Sequence, residues 1–194
     1  MTEELDPKTF DLDAWLTDAH LPEVSARIFK GGHLLAELES VREQIEDEQA
    51  AVGQSLAAAQ KMTQLTEQYE RLLQQFGESS LTVYCRAIPG SKLRELRAEF
   101  DARAKAKKWN TAESNAEFGY MLLENSIAAV KPAGESKADV TWPANSVKKL
   151  EQQIGPGELG KLLNAHKRAQ SELKEPDADF LRKSSGTSSN GTDD

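Results

Sequence analysis

The feature that most constrains the fold of this chain is a pair of apolar rows between His33 and Phe76. Each row repeats in steps of three and four residues along the sequence, with one longer step near the end of the first row. This spacing places each row on one stripe of an α-helix. The first row contains Leu34, Leu38, Val41, Ile45 and Val52, and the second contains Ala58, Met62, Leu65, Tyr69, Leu72 and Phe76.

The short segment between the two rows predicts a turn. Gly53 is suited to end the first helix, and Ser55 is suited to begin the next one. A connection this short makes neighbouring helices run antiparallel. We therefore expect an antiparallel helical hairpin whose apolar stripes face each other and whose outer faces are charged.

Two strand-like segments flank this hairpin. Val24–Lys30 ends at a pair of glycines, and Leu81–Ile88 is rich in β-branched and aromatic residues. Because the hairpin returns the chain to where it left, the two strands come side by side and can pair. Two strands alone are marginally stable, so a helix on one face or strands of another copy are needed. Cys85 has no histidine near it in sequence, which favours a small buried hydrophobe over a nucleophile.

Helices are predicted for most of the remaining chain. Ser91 is a candidate N-cap for a basic helix that reaches Lys108. Asn110 and Glu113 have the spacing of a capping box, and the helix that follows carries an apolar row that continues through Ile127 and Val130.

A loop from Lys131 to Val140 is expected after that helix. Thr141 is then the candidate N-cap of a short helix, and Gly155-Pro156-Gly157 separates this helix from the next one. From Glu175 onwards the chain is polar and has too few apolar residues to fold alone.

The predicted fold class is mainly α with a minor α+β part. An antiparallel helical hairpin, flanked by two short strands, is followed by a C-terminal helical bundle and a disordered tail. We divide the chain into an acidic N-terminal segment with a short helix (1–22), a strand–hairpin–strand module (23–90), a helical domain (91–174) and a disordered polar tail (175–194).

The short helix of the N-terminal segment is predicted between Asp11 and Ala19, before Pro22. It carries Trp15 on its apolar side. Two interpretations remain open at this point. Trp15 either docks on the body of the protein or belongs to an exposed helix that binds a partner.

Composition excludes several classes of function. The net charge of −8 argues against a general nucleic-acid-binding protein and against binding to anionic membranes. The basic helix beginning at Ser91 lacks interleaved aromatic residues, so we interpret its charges as a solvated face. No apolar run is long enough to span a membrane, and the acidic start has no features of a signal peptide. A single cysteine fits a reducing compartment. We expect a soluble cytoplasmic protein.

No motif predicts catalysis, a cofactor or a metal. Gly155 to Lys161 has the spacing of half a phosphate-binding loop, but position 162 is leucine where a hydroxyl should hold magnesium. His33 and Glu37 share one helix face, yet two ligands do not make a metal site, and a capping or surface histidine is the simpler interpretation. We therefore expect a protein that is not an enzyme.

Five segments, taken in their order, form a pattern that covers nearly the full length of the chain. They are Phe10–Leu16, Val24–Phe29 leading into a Leu/Glu-rich hairpin, Leu81–Pro89, Leu150–Leu159, and Pro176–Phe180 before a Ser/Gly tail. In this order and composition the chain resembles the tail assembly chaperones of long-tailed (siphovirus) phages and prophages of actinobacteria. The pattern contains no active-site motif.

The resemblance implies a non-structural protein of the host cytoplasm that binds the tape-measure protein and keeps it soluble during tail-tube assembly. It also implies a longer form of the protein, made by ribosomal frameshifting, as a second partner. A homo-oligomer is a further expected assembly. The candidate partner-binding residues are Trp15, Tyr69, Leu73, Phe76 and Leu123. A structural virion component or a coiled-coil adaptor is the alternative function.

Overall fold

The computed structural model describes residues 11–49 and 56–171. The helices in this part are α1 (Leu12–Leu16), α2 (His33–Gln49), α3 (Leu56–Glu78), α4 (Gly90–Lys107), α5 (Thr111–Ser126), α6 (Ala144–Ile154) and α7 (Pro156–Gln170). The strands are β1 (Glu23–Phe29), β2 (Ser80–Arg86), β3 (Ile127–Pro132) and β4 (Ala138–Asp139). A mostly helical chain with a small antiparallel sheet confirms the predicted class. The predicted turn at Gly53 and Ser55 and the predicted disordered tail lie outside the described residues.

The four strands form one antiparallel sheet in the order β1-β2-β3-β4. β1 pairs with β2 over its whole length, from Glu23 opposite Arg86 to Phe29 opposite Ser80. This pairing of the two segments that flank α2 and α3 confirms the prediction. It leaves β1 at an edge of the sheet, where the backbone N–H of Phe29 donates to the carboxylate of Glu158 on α7 at 3.1 Å.

Strand β3 corrects the prediction that α5 continues through Ile127 and Val130. The helix ends at Ser126, and β3 follows at once, with Val130 opposite Val83 of β2. With only the two predicted strands, the edge of β2 that faces away from β1 would have no partner. Pairing with β3 satisfies the backbone N–H and C=O groups on that edge. β3 and β4 also occupy both ends of the predicted loop from Lys131 to Val140.

Of the three predicted N-caps that lie among the described residues, two are wrong. The capping box of α5 is present, because the side chain of Asn110 accepts from the N–H of Glu113 while the Glu113 carboxylate accepts from the N–H of Asn110, each at 2.9 Å. The N-cap positions of α4 and α6 are instead Pro89 and Pro143, which make no side-chain cap bond. The extended backbone that precedes a first helical turn suits the fixed φ of proline.

The main core lies between one face of the sheet and helices α5, α6 and α7. Alternation along β2 points Val83 and Cys85 into this core, where both are fully buried. Cys85 is thus the buried residue that the sequence predicted. The buried members of the core are Ile28, Val83, Cys85, Leu123, Ile127, Val147, Leu159, Leu162 and Ala165. Covering helices and two further strands provide the support that β1 and β2 need.

Helices α2 and α3, together called the arm here, have a separate apolar cluster. Its buried members are Leu34, Leu38, Val41, Leu65 and Leu72, with Ile45, Tyr69 and Phe76 packed against them. Glu48 near the end of α2 pairs with Lys61 near the start of α3 at 2.6 Å. At the other end, the N–H of Gly31 donates to the Ser79 hydroxyl at 3.2 Å. The start of α2 therefore lies beside the end of α3.

A leucine pair tests this division between core and surface. Leu123 is 0% exposed and Leu73 is 51% exposed. We expect Leu123→Ala to lower the free energy of unfolding by about 2–5 kcal/mol, because it removes buried methyl groups and leaves a cavity. Leu73→Ala is the matched control and should change it by less than about 0.5 kcal/mol. Urea unfolding followed by circular dichroism measures both, and equal losses would contradict the assignment.

Candidate partner-binding surface

The five predicted partner-binding residues fall into three groups. Trp15 and Leu73 are exposed, whereas Tyr69 and Phe76 are half-buried in the cluster of the arm. Leu123 is wrong as a contact residue, since it belongs to the main core. The sequence indicated that Leu123 lies on an apolar helix, but it did not indicate which face of α5 is exposed. The face that carries Leu123 packs against the sheet.

Phe76 joins the arm to the sheet. Its ring stacks on the ring of Phe29, with centroids 4.4 Å apart and an interplanar angle of 8°. The ammonium group of Lys161 lies 5.4 Å from the centroid of the Phe29 ring. These contacts fix the base of the arm at the end of β1, so Phe76 has a structural role beside any contact with a partner.

A small apolar patch lies on the arm near its base. Leu35 is 54% exposed, comparable with Leu73. Each follows an inward leucine by one position, Leu34 on α2 and Leu72 on α3. In an antiparallel helix pair, such equivalent positions flank the same side of the seam. Leu35 and Leu73, called the arm patch here, therefore share one side of the arm.

Sequence reasoning missed Leu35 because the heptad row assigned Leu34 to the seam and took its neighbour as outer surface. The available signal was a second leucine directly beside a row position, a place that a solvated helix ordinarily gives to a polar residue. Arg42, one heptad further along α2, is paired with Glu39 at 2.6 Å and with Glu46 at 3.4 Å. The patch thus ends where the charged surface of the arm begins.

The short helix α1 exposes its apolar side. Asp11 caps it by accepting from the N–H groups of Asp13 and Ala14 at 3.0 and 3.1 Å. None of its residues is buried, and Trp15 is 67% exposed. An exposed fraction this large places Trp15 outside the buried core of the described residues.

An apolar groove lies between α4 and α5 and is called the α4–α5 groove here. It has a volume of about 440 Å³ and is lined by Leu93, Arg94, Arg97, Phe118, Leu122 and His166. The guanidinium of Arg97 lies 5.0 Å from the centroid of the Phe118 ring, a cation–π contact that holds it at the groove. An apolar floor and two cationic groups suit an apolar segment that carries negative charge.

A buried polar cluster lies beneath this groove. Ser126 donates its hydroxyl to the backbone carbonyl of Arg86 at 2.9 Å, and Nδ1 of His166 lies 3.0 Å from the same hydroxyl oxygen. Because that hydroxyl hydrogen is already used, Nδ1 of His166 carries the proton and donates to Ser126. Burial lowers the pKa of the His166 ring below its ordinary value of 6.5.

The same cluster does not activate Cys85. Its thiol donates to the carbonyl of Leu162 at 3.7 Å, and burial raises the pKa of Cys85 to about 11. A nucleophilic cysteine needs a lowered pKa and access to substrate. The cluster therefore has a structural role, because its hydrogen bonds join β2, α5 and α7. The sequence analysis did not single out His166, and its position on the apolar stripe of α7 was the available signal.

Two sequence patterns were not assigned a function: the pair His33 and Glu37, and the segment from Gly155 to Lys161. His33 and Glu37 are exposed on α2. Gly155 forms the turn between α6 and α7 with a φ of 84°, Pro156 begins α7, and Lys161 pairs with Glu158 at 2.6 Å.

Within residues 11–49 and 56–171, no three His, Cys, Asp or Glu side chains are grouped so as to hold a metal ion. The described helices include none with the length and apolar character that crossing a membrane requires. Comparison of the chain with protein-family models, curated proteins and solved structures finds no match.

His166 predicts a pH dependence of stability. Its folded-state pKa is lowered by burial, so on acidification the unfolded chain takes up this proton first. Stability should therefore be highest above the ordinary value of 6.5, fall as the pH drops below it, and level off below the folded-state pKa. Urea unfolding at pH 7.5 and at lower pH measures this loss.

Substitution separates His166 from the other titrating groups. His166→Gln should reduce the loss of stability between pH 7 and pH 5.5, because the buried titrating ring is gone. His33→Gln is the control on an exposed helix face and should keep the wild-type dependence. An unchanged pH dependence in His166→Gln would contradict the prediction.

Proposed function

We propose that this chain is a tail assembly chaperone of a long-tailed phage or prophage, and that it binds the tape-measure protein through the arm. The resemblance in segment order and composition supports the family. The arm supports the mode of binding, and the single observation that carries it is the arm patch, with two half-exposed leucines on one side of a two-helix unit.

The arm acts, in this proposal, as an antiparallel helical hairpin that accepts a third helix. The described members of the arm cluster all lie on α2 and α3, and Phe76 also stacks on Phe29 at the base of the arm. An amphipathic helix that lies along the side marked by Leu35 and Leu73 would extend this seam into a three-helix arrangement. Tyr69 and Phe76, which retain part of their surface, would lie beneath such a helix.

The strength of this contact suits a protein that must release its client. Each exposed leucine keeps about half of its surface, so covering it contributes on the order of 1 kcal/mol at roughly 25 cal/mol per Å². Many such contacts along a long helical tape-measure protein would give retention, whereas each one alone is weak. Release then needs no chemical step, and the proposed role requires no cofactor, metal or catalytic residue.

Charge supports the same role. The whole chain has a net charge of −8, and the outer surface of the arm carries exposed Glu–Arg pairs such as Glu39 with Arg42. A complex that keeps this charge outside resists association with other complexes. The proposal places the protein in the host cytoplasm, with the tape-measure protein and a frameshifted longer form of itself as partners and without nucleic acid or membrane.

Co-expression with the tape-measure protein encoded by the same phage or prophage genome tests the proposal. We expect the tape-measure protein to become soluble and to co-purify with the chain. The arm variant Leu35→Ser/Leu73→Ser should lose at least half of the co-purified tape-measure protein. The control is Leu21→Ser, which alters an exposed leucine outside both the arm and α1 and should keep it.

Two outcomes would contradict this proposal. One is a tape-measure protein that stays insoluble with and without the chain, and the other is an arm variant that retains it as well as the wild type does. Mass spectrometry of purified virions gives an independent measurement. A chaperone should be absent or present in traces, whereas a stoichiometric amount would indicate the alternative, a structural virion component.

A further inference from the structure

His166 brings an unused hydrogen-bonding atom to the base of the α4–α5 groove. Its side chain is 6% exposed and lines the groove, and Nδ1 of the ring is occupied by Ser126 at 3.0 Å. Nε2 has no hydrogen-bond partner among the described residues. In that part of the chain no buried side-chain nitrogen or oxygen lacks a partner, so Nε2 is not fully enclosed. The remaining surface of this ring therefore faces the groove.

The hydrogen bonds around the ring make Nε2 an acceptor. Ser126 donates its hydroxyl hydrogen to the carbonyl of Arg86, so the proton of the neutral ring lies on Nδ1. Because burial lowers the pKa of His166 below 6.5, this neutral form predominates at pH 7. A ligand that covers Nε2 without donating to it leaves a buried acceptor unpaired, which is costly. The base of the groove thus favours a ligand with a hydrogen-bond donor.

The floor of the groove favours an apolar ring. Leu93, Phe118 and Leu122 line it, and all three remain half-buried where they pack on the core of α4 and α5. The volume of about 440 Å³ lies within the range of roughly 300–1,000 Å³ that is typical of ligand pockets. Among side chains, tryptophan and tyrosine combine a large apolar body with one N–H or O–H donor. Either of them suits both the floor and Nε2.

Two arginines at the groove favour negative charge. Arg94 is exposed and forms no ion pair within 4 Å among the described residues. Arg97 lies over the ring of Phe118 and contacts Asp101 at 3.5 Å. Both members of that ion pair are more than half exposed, so a carboxylate of a ligand competes with it at little cost. On a chain with a net charge of −8, this local positive charge complements an acidic ligand.

We propose that the α4–α5 groove binds an acidic segment of a partner protein through one tryptophan or tyrosine side chain, which donates its N–H or O–H to Nε2 of His166. Carboxylates beside this aromatic residue contact Arg94 and Arg97. These arginines lie one turn apart on α4, so a segment that runs along the helix reaches both. The arm contributes no residue to the groove, and the inference therefore stands apart from the proposed function.

Titration of the full chain with synthetic peptides at pH 7.5 tests the proposal. The probe is a fluorescein-labelled Gly-Glu-Glu-Trp-Glu-Glu-Gly, and fluorescence anisotropy should give a Kd on the order of 100 µM. A peptide with naphthylalanine in place of tryptophan keeps a ring of similar size but has no donor, and should bind about tenfold more weakly. A peptide with glutamine in place of each glutamate should bind about fivefold more weakly.

Substitution of the arginines tests the charged part of the site. Arg94→Gln/Arg97→Gln should weaken binding of the tryptophan peptide about fivefold and abolish most of the preference for glutamate over glutamine. Arg71→Gln is the matched control, since it removes an exposed arginine on α3, and should leave the Kd unchanged. The arm variant Leu35→Ser/Leu73→Ser should also bind as the wild type does, so that failure of this site and failure of the proposed function are distinguishable.

The hydrogen bond to His166 has its own measurements. His166→Phe, checked for folding by circular dichroism, should bind the tryptophan and naphthylalanine peptides equally well, because the acceptor is gone. In the wild type, ¹⁵N NMR should show the Nδ1–H form of this ring, and the Nε2 resonance should shift with the tryptophan peptide and not with the naphthylalanine peptide. The second measurement requires no substitution in the core.

Three outcomes would overturn the proposal. Equal affinity of the wild type for the tryptophan and naphthylalanine peptides would exclude the hydrogen bond to His166. A Kd that is unchanged in Arg94→Gln/Arg97→Gln, or weaker than about 1 mM in the wild type, would exclude an acidic segment as the ligand. Free indole-3-acetate that binds as tightly as the peptide would indicate a site for a small carboxylate instead of a protein segment.

Discussion

The pairing of β1 with β2 is the interaction on which the other parts of this structure depend. It joins two segments separated by the whole arm and places Phe29 next to the end of α3, where its ring stacks on Phe76. The cost of closing a long insertion grows only slowly with its length, and an arm with its own apolar cluster reduces that cost further. Once β1 and β2 are paired, their shared face provides the apolar surface on which α5 and α7 pack, and the far edge of β2 accepts β3.

Those parts of the fold that depend on local periodicity could be predicted from the sequence. The rows from Leu34 and from Ala58 specify α2 and α3, and the β-branched run around Val83 specifies β2. β3 could not be predicted, because Ile127 and Val130 continue the apolar row of α5, and only the free edge of β2 favours the extended backbone. In the same way Leu123 is apolar in either environment, and the sheet opposite it decides that it is buried.

Some residues of the candidate surfaces could be predicted from local sequence, and others could not. Leu73 and Trp15 could be named as candidate contact residues because they are large apolar residues on otherwise polar segments. Finding Leu35 requires knowing which side of α2 faces α3. Finding the α4–α5 groove requires the packing of α4, α5 and α7, and α7 is far from the other two helices in sequence. His166 depends on Ser126, forty positions earlier, for the hydrogen bond that accounts for its buried place. Periodicity identifies the inward face of one helix, whereas a concave site is formed by residues of several elements.

The contact between Glu158 and the edge of β1 has a consequence for how copies of this chain meet. An uncovered strand at the edge of a sheet offers its amide groups to any other extended chain and so permits edge-to-edge pairing between molecules. Here a carboxylate occupies the amide of Phe29, and a further strand would have to displace a negative charge before it could add. Strand addition is thereby disfavoured at that end of β1.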